Sequence, residues 1–145
     1  MHDFSHDGEL PMKIAFTAAR YLLGSIFLVF GLNGFLHFIP APPPAGVAGQ
    51  FFTALYLSHY LVVIFLLQLG PAILLLLNRY VPLALTLLGP IVVNIVLFHL
   101  LMAPSGLPMA FVVTILWILT AVSVRSAFRG LFQKTYGPKG ISATA

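Results

Sequence analysis

Residues 54–102 read ALYLSHYLVVIFLLQLGPAILLLLNRYVPLALTLLGPIVVNIVLFHLLM, and this stretch decides the fold class. Its only Lys or Arg is Arg79, and it contains no Asp or Glu. Two apolar runs, at 54–77 and 81–102, are separated by the short polar segment 78–80. Each run is close to the roughly 20 residues that a membrane-spanning helix needs, and neither alternates with the period of a β-strand. The stretch therefore predicts two membrane-spanning helices joined by a tight turn.

Two more apolar stretches, at 14–36 and 108–128, lie on either side of this pair. Short turns such as the one at 103–107 join antiparallel neighbours. The four stretches therefore predict an all-α integral membrane protein, an up-down-up-down four-helix bundle. The segment 37–53 is rich in proline and also contains glycine, and both residues interrupt helices. We expect this segment to form the longest loop.

The whole chain divides into three predicted regions. Residues 1–13 form a polar leader, 14–132 form the four-helix transmembrane domain, and 133–145 form a basic, flexible tail. All three acidic residues lie in the leader, so no carboxylate side chain follows Glu9. This excludes a buried Asp or Glu as a proton carrier inside the membrane. The chain has no cysteine, which excludes disulfide exchange and iron–sulfur ligation.

The basic residues predict the orientation of the chain. Every Lys and Arg except Arg20 falls on one side of a four-span bundle: before the first span, in the 78–80 turn, or around the end of the fourth span and beyond it. The loops 37–53 and 103–107 contain neither Lys nor Arg. The positive-inside rule makes the basic side cytoplasmic. We expect a protein of the bacterial inner (plasma) membrane with both termini in the cytoplasm.

Arg20 is the costliest residue in the predicted spans, because it lies about two helical turns into the first one. Two interpretations stay open. Its guanidinium either extends back to the inner interface, or it faces the bundle and binds an anion or a ligand carbonyl. Because no carboxylate follows in the spans, its partners must be amides, backbone carbonyls, lipid phosphate, a ligand or another chain.

Uncharged polar residues also lie within or at the ends of the spans. Interhelical hydrogen bonds from amides commonly stabilise packing in membrane proteins. The alternative is that these side chains and the arginine line one polar cleft. The candidate ligand-binding residues are Arg20, Asn33, Gln68, Asn94 and His99.

Three histidines, His37, His59 and His99, are expected near the outer face of the bundle. Neutral imidazole is a common ligand of metals and of haem. No two of the three are spaced by three or four residues on one helix. We therefore predict no metal or haem site. If a metal site did form, these three histidines would be its ligands. The sequence also predicts no catalytic residue.

The chain resembles the DoxX and DoxX-like family of small four-helix membrane proteins over about residues 14–132. The resemblance rests on a first span with an Ala-Arg pair and spaced glycines, and on three longer stretches. These are NGFLHF at 33–38, QLGPAILLLLNRYVP at 68–82 and PIVVNIVLFH at 90–99. Many members have Glu near the position of Gln68, so here the side chain keeps the shape but not the charge.

The resemblance implies an accessory or quinone-facing membrane subunit, because the name-giving relatives are associated with a membrane thiosulfate:quinone oxidoreductase. We expect a non-catalytic accessory or scaffold subunit that presents a polar cleft to a lipid-like ligand or to a membrane or soluble partner protein. A quinone-interacting oxidoreductase subunit is the alternative, and a small-solute transporter is the third hypothesis. The bilayer is an expected partner, nucleic acid is not, and the chain is not expected to be a complete enzyme alone.

Overall fold

A computed structural model describes residues 9–40, 42 and 44–132. Within them all regular structure is helical, so the predicted all-α class is confirmed. Most of the predicted leader and the whole tail at 133–145 lie outside the described residues, whereas residues 9–13 belong to the first helix. The five α-helices are α1 Glu9–Leu36, α2 Gly46–Leu57, α3 Tyr60–Leu76, α4 Val81–Leu101 and α5 Leu107–Ser123.

Three helical segments are long and apolar enough to cross a membrane: Leu10–Leu36, Val81–Leu101 and Pro104–Ser123. Helices α2 and α3 meet the same criteria only together, and they are bent by 87° at the break between them. The length and composition of the described helices are therefore compatible with three spans, or with four if the bent pair counts as one.

The predicted loop at 37–53 is wrong in its second half, where α2 begins at Gly46. Gly46 has a left-handed φ of 62°, which glycine adopts without a steric penalty. A Cβ at Gly49 would overlap the carbonyl oxygen of Pro44. The two glycines therefore let the chain turn sharply out of the proline-rich segment and directly into a helix.

The predicted second span, 54–77, is divided near its start at Ser58 and His59. His59 has a left-handed φ of 59°, which ends the helical path of α2 and redirects the chain into α3. The Ser58 hydroxyl donates to the Leu55 carbonyl at 3.1 Å and so satisfies one of the carbonyls left open at the end of α2. The longer helix of this region, α3, consequently begins at Tyr60.

The predicted tight turn between the second and third spans is confirmed. Asn78 has a left-handed φ of 54° directly after α3, and its N–H donates to the Leu75 carbonyl at 3.2 Å. The N–H of Arg79 donates to the Leu74 carbonyl at 2.9 Å, which completes a Schellman motif. Pro82 then occupies the first turn of α4, where its missing N–H costs nothing.

Helices α1 and α4 each pack against both α3 and α5. The most extensive of these contacts joins α1 to α3, and glycines on α1 make it close. A Cβ at Gly24 would lie 3.0 Å from Leu76 Cγ, and one at Gly31 would lie 2.9 Å from Leu69 Cδ2. Between the four helices lies an apolar core that includes Leu23, Phe27, Ala72, Leu75, Leu85, Leu88 and Val113.

Helix α5 ends at Ser123, five residues before the end predicted for the fourth span at 128, and a 3₁₀-helix, Arg125–Phe132, follows it. Trp117 connects α5 to α4, since its indole Nε1–H donates to the carbonyl of Leu85 at 3.1 Å. This bond satisfies the polar N–H of the half-buried tryptophan ring.

Candidate functional site

A cavity of ≈ 320 Å³ lies between the helices, and all five contribute to its wall. We call it the central cavity. Asn33 of α1, Gln68 of α3 and His99 of α4 line it with polar groups. Its volume falls at the lower end of the range found for small-molecule sites. The remaining wall is apolar and aromatic, formed by Ile26, Phe27, Phe30, Gly34, Phe52, Phe65, Ile95, Met109 and Val113.

A larger opening of ≈ 1260 Å³ lies against α2, and we call it the α2 groove. His37 and His59 line it, together with mainly apolar residues of the segment between 33 and 65. The central cavity and the α2 groove are adjacent, so the groove offers an approach to the cavity. Four residues line both spaces: Asn33, Gly34, Phe52 and Phe65.

Gln68 is the most deeply buried polar residue of the central cavity. Its side chain is 9% exposed, and its Oε1 has no hydrogen-bond partner in the described part of the chain. A buried acceptor without a donor costs about 1–3 kcal/mol. A ligand hydroxyl in the central cavity would remove this cost once the Gln68 amide turns to present its oxygen, which has almost no accessible surface of its own, to the cavity.

His99 is held in one orientation by the turn that follows α4. Its Nδ1 lies 2.9 Å from the carbonyl oxygen of Ala103, so Nδ1–H is the donor. In the neutral imidazole, Nε2 is then an acceptor. The Ala103 carbonyl also accepts the N–H of Gly106 at 3.1 Å, and a Cβ at Gly106 would overlap the imidazole ring. The absence of a side chain at Gly106 therefore makes room for the histidine.

Asn33 combines a structural role with its place in the cavity wall. Its Oδ1 accepts the N–H of Ile39 at 2.6 Å, and its backbone carbonyl accepts the N–H of His37 at 2.9 Å. These bonds close the end of α1, where His37 has a left-handed φ of 52°. Because the amide oxygen is used there, the NH₂ group of Asn33 is what remains for a ligand.

Arg20 lies away from both spaces, 13 residues or about 20 Å before Asn33 along α1. Its Nη1 donates to Oδ1 of Asn78 at the end of α3, and its Cζ lies 4.7 Å from the ring centroid of Tyr21. The partner is an amide, one of the groups that the sequence allowed. Arg20 thus stabilises the junction of α1 and α3, with an additional cation–π contact.

Asn78→Ala is expected to destabilise the protein by about 2 kcal/mol, because it removes the Arg20 partner and places an alanine Cβ in the left-handed region. Asn78→Gly keeps the backbone relaxed and should cost about half as much. Unfolding of the detergent-solubilised protein in a denaturant titration measures both. The exposed neighbour Arg79, changed to alanine, is the control and should have little effect. Equal stability of Asn78→Ala and the unmodified chain would contradict the assigned role of the amide.

The other predicted site residues lie apart from the central cavity. Asn94 is exposed on α4 and makes no side-chain hydrogen bond to any described residue. His37 and His59 line the α2 groove, whereas His99 lines the central cavity. Among the described residues, no group of three His, Cys, Asp or Glu side chains could hold a metal ion. The predicted set of five therefore separates into a cluster of three and two independent residues.

The sequence did not indicate Phe52 or Gly106 as parts of the site. Phe52 belongs to α2, and the sequence predicts a loop over the first part of that helix, with no motif there that indicates a site. Gly106 was expected only to form a turn, and its contact with His99 depends on the tertiary arrangement. The one signal available was the short spacing between His99 and the Ala103–Gly106 turn.

Comparison with known proteins gives no match: no family model, no curated protein and no solved structure is significantly similar to the chain. The fold and the site define a class, a helical protein with long apolar helices and an internal cavity that carries a few polar groups. The resemblance to DoxX-like proteins stays a prediction from the motifs.

Proposed function

We propose that the chain is an integral membrane protein whose central cavity binds a lipid-like molecule with an uncharged, hydroxyl-bearing head group. The observation that carries this proposal is the amide of Gln68, a residue of a mostly apolar cavity wall, whose Oε1 has no hydrogen-bond partner among the described residues. A ligand hydroxyl would satisfy this oxygen, and an apolar tail would fill the aromatic and aliphatic wall.

The outward faces of the helices support the membrane placement. Large apolar side chains are exposed along every helix, for example Leu22 on α1, Leu66 on α3 and Ile115 on α5. Continuous apolar surface on this scale would drive association in water, whereas a bilayer is its natural solvent. In this proposal α1, α3, α4 and α5 form the four spans of an up-down bundle. Helix α2, at 87° to α3, lies along the membrane interface.

The distribution of basic residues supports the proposed orientation. Arg79 lies between α3 and α4, and the Arg125–Phe132 segment follows α5. In an up-down bundle, both are therefore on the same side of the membrane as the start of α1. The positive-inside rule makes this side cytoplasmic. In the bacterial inner membrane, the α2 groove then opens toward the outer face, and a ligand enters the central cavity from that side.

The proposed role is that of a DoxX-like accessory or scaffold subunit, rather than a complete enzyme. The chain has no cysteine and no carboxylate beyond Glu9, so the cavity has no nucleophilic thiol and no carboxylate base. Its polar groups are amides and one imidazole, which bind and orient a ligand. A partner protein would supply any chemistry performed on that ligand.

A reduced quinone is a second candidate ligand, which would make the chain a quinone-interacting subunit of an oxidoreductase of the thiosulfate:quinone type. Nε2 of His99 is an acceptor, and Oε1 of Gln68 becomes a second one when the amide turns toward the cavity; these two suit the two hydroxyls that a quinol has and an oxidised quinone lacks. The NH₂ group of Asn33 adds a donor. We therefore expect decylubiquinol to bind more tightly than decylubiquinone.

Gln68→Leu is expected to weaken decylubiquinol binding about fivefold, the effect of losing one neutral hydrogen bond of about 1 kcal/mol. Titration of the purified protein in lipid nanodiscs measures the affinity, and native mass spectrometry measures co-purified lipids. Asn94→Leu is the matched control, because it removes an amide outside the cavity. If Gln68→Leu retains quinol and co-purified lipid as well as this control does, the proposed site is wrong.

A further inference from the structure

Helix α4 carries a polar group that the proposed ligand site does not use, the amide of Asn94. It lies 13 residues after Val81 and 7 residues before Leu101, or about 20 Å and 10 Å from the two ends of the helix. In the proposed membrane placement this position is inside the hydrocarbon layer, which is about 30 Å thick. The side chain is exposed and makes no hydrogen bond to any described residue. An amide at this depth needs a partner from outside the chain.

Asn94 belongs to a regular row of exposed residues on α4, which we call the α4 seam. Successive members are spaced by 4, 3, 4, 3 and 4 residues, which is the heptad spacing of a helix–helix contact. At about 100° per residue, the row lies opposite the face that carries Leu85, Leu88 and Val92 into the core. The α4 seam consists of Leu83, Leu87, Pro90, Asn94, Leu97 and Leu101.

We propose that the α4 seam is a homodimer interface in which Asn94 of one copy hydrogen-bonds to Asn94 of a second copy. This proposal rests on the membrane placement proposed above. Every copy inserts in the same orientation, so two α4 helices related by a twofold axis along the membrane normal run parallel. Their Asn94 residues then lie at the same depth.

The chemistry of the seam favours a second copy over a different protein. An amide is both a donor and an acceptor, so two identical amides facing each other satisfy one another. In parallel helix pairs, a single asparagine in the seam places identical residues side by side and sets the register. A different partner would need its own polar group at this depth. The seam residues line neither the central cavity nor the α2 groove, so both stay accessible in the dimer.

Single-cysteine variants test the interface directly, because the chain has no cysteine of its own. Leu87→Cys and Leu97→Cys should form disulfide-linked dimers in phosphatidylethanolamine–phosphatidylglycerol vesicles under mild oxidation. Ile118→Cys on α5 is the matched control, since Ile118 and Leu97 are both 48% exposed. Equal cross-linking at Ile118 and at the seam positions would overturn the proposal.

Asn94→Leu tests the amide pair and should raise the dimer dissociation constant about tenfold, which corresponds to about 1.4 kcal/mol. Energy transfer between labelled copies in the same vesicles measures this constant, and Gln68→Leu is the control that should leave it unchanged. In bacterial membranes, a seam cysteine that cross-links to a different protein instead of a second copy would overturn the proposal, and so would an Asn94→Leu chain that dimerises normally in the vesicles. The two proposals can fail separately. If Gln68→Leu weakens quinol binding but the unmodified protein is monomeric in the vesicles, the dimer proposal is wrong and the ligand-site proposal stands.

Discussion

Gly106→Ala is expected to weaken decylubiquinol binding about thirtyfold, or by about 2 kcal/mol. The added Cβ would overlap the His99 imidazole, so the ring must rotate away. That rotation breaks the Nδ1–H bond to the Ala103 carbonyl and removes the ring from its place in the cavity wall. The backbone of Gly106 has a negative φ of −89°, so alanine adds no backbone strain and the whole effect comes from the contact.

The measurement is a quinol titration in nanodiscs, with thermal unfolding recorded on the same preparations. Gly70→Ala is the matched control, because a Cβ at Gly70 meets nothing within 4 Å. This control should bind quinol normally and change stability little, since the better helix preference of alanine is opposed by crowding of its Cβ against the ring of Pro71. Normal quinol affinity in Gly106→Ala would show that the orientation of His99 does not matter for the ligand.

Gly31→Leu is expected to destabilise the protein by about 3 kcal/mol or more, which is the upper range for overpacking a tight contact. Gly31 lies in the most extensive helix contact of the fold, where even a Cβ would be 2.9 Å from Leu69 Cγ and 3.4 Å from Gln68 Cβ. A leucine side chain can be accommodated only if α1 and α3 move apart. Because Gln68 lies on the same side of α3, the separation should also disturb the central cavity.

Monodispersity after detergent extraction and the midpoint of thermal unfolding measure the effect of Gly31→Leu. The control is Gly70→Leu, which adds the same side chain at a glycine with open space around it. Equal midpoints of thermal unfolding in Gly31→Leu and Gly70→Leu would mean that the glycine contact between α1 and α3 does not determine stability. Loss of quinol binding in Gly31→Leu at unchanged stability would instead assign Gly31 to the site.

Local composition was sufficient to predict α1, α4 and α5 as long apolar helices. Each is an apolar run bounded by residues with strong local preferences, such as Asn78 and Pro82 at the turn before α4. The same reasoning was wrong about α2, because Gly46 and Gly49 predict an interruption wherever they occur. Whether a glycine ends a helix or permits a sharp entry into one depends on the path of the chain before it.

The break at His59 was also beyond local reasoning. Neither proline nor glycine marks it, although His59 adopts a left-handed φ of 59° there and the chain bends by 87°. The sequence predicted that Asn33, Gln68 and His99 could line one cleft, but it could not separate these three from Arg20 and Asn94. Helical periodicity places a residue on a face and does not specify which helix that face meets.

Arg20 and Asn94 show the boundary between the two levels most clearly. The residue types were enough to establish that Arg20 has no acidic partner in the spans and that Asn94 lies near the middle of an apolar helix. The packing of the helices determined that Arg20 pairs with Asn78 and that Asn94 points away from the core. The physical reason is that composition and order specify what each side chain requires, whereas only the relative positions of the helices specify which group meets that requirement.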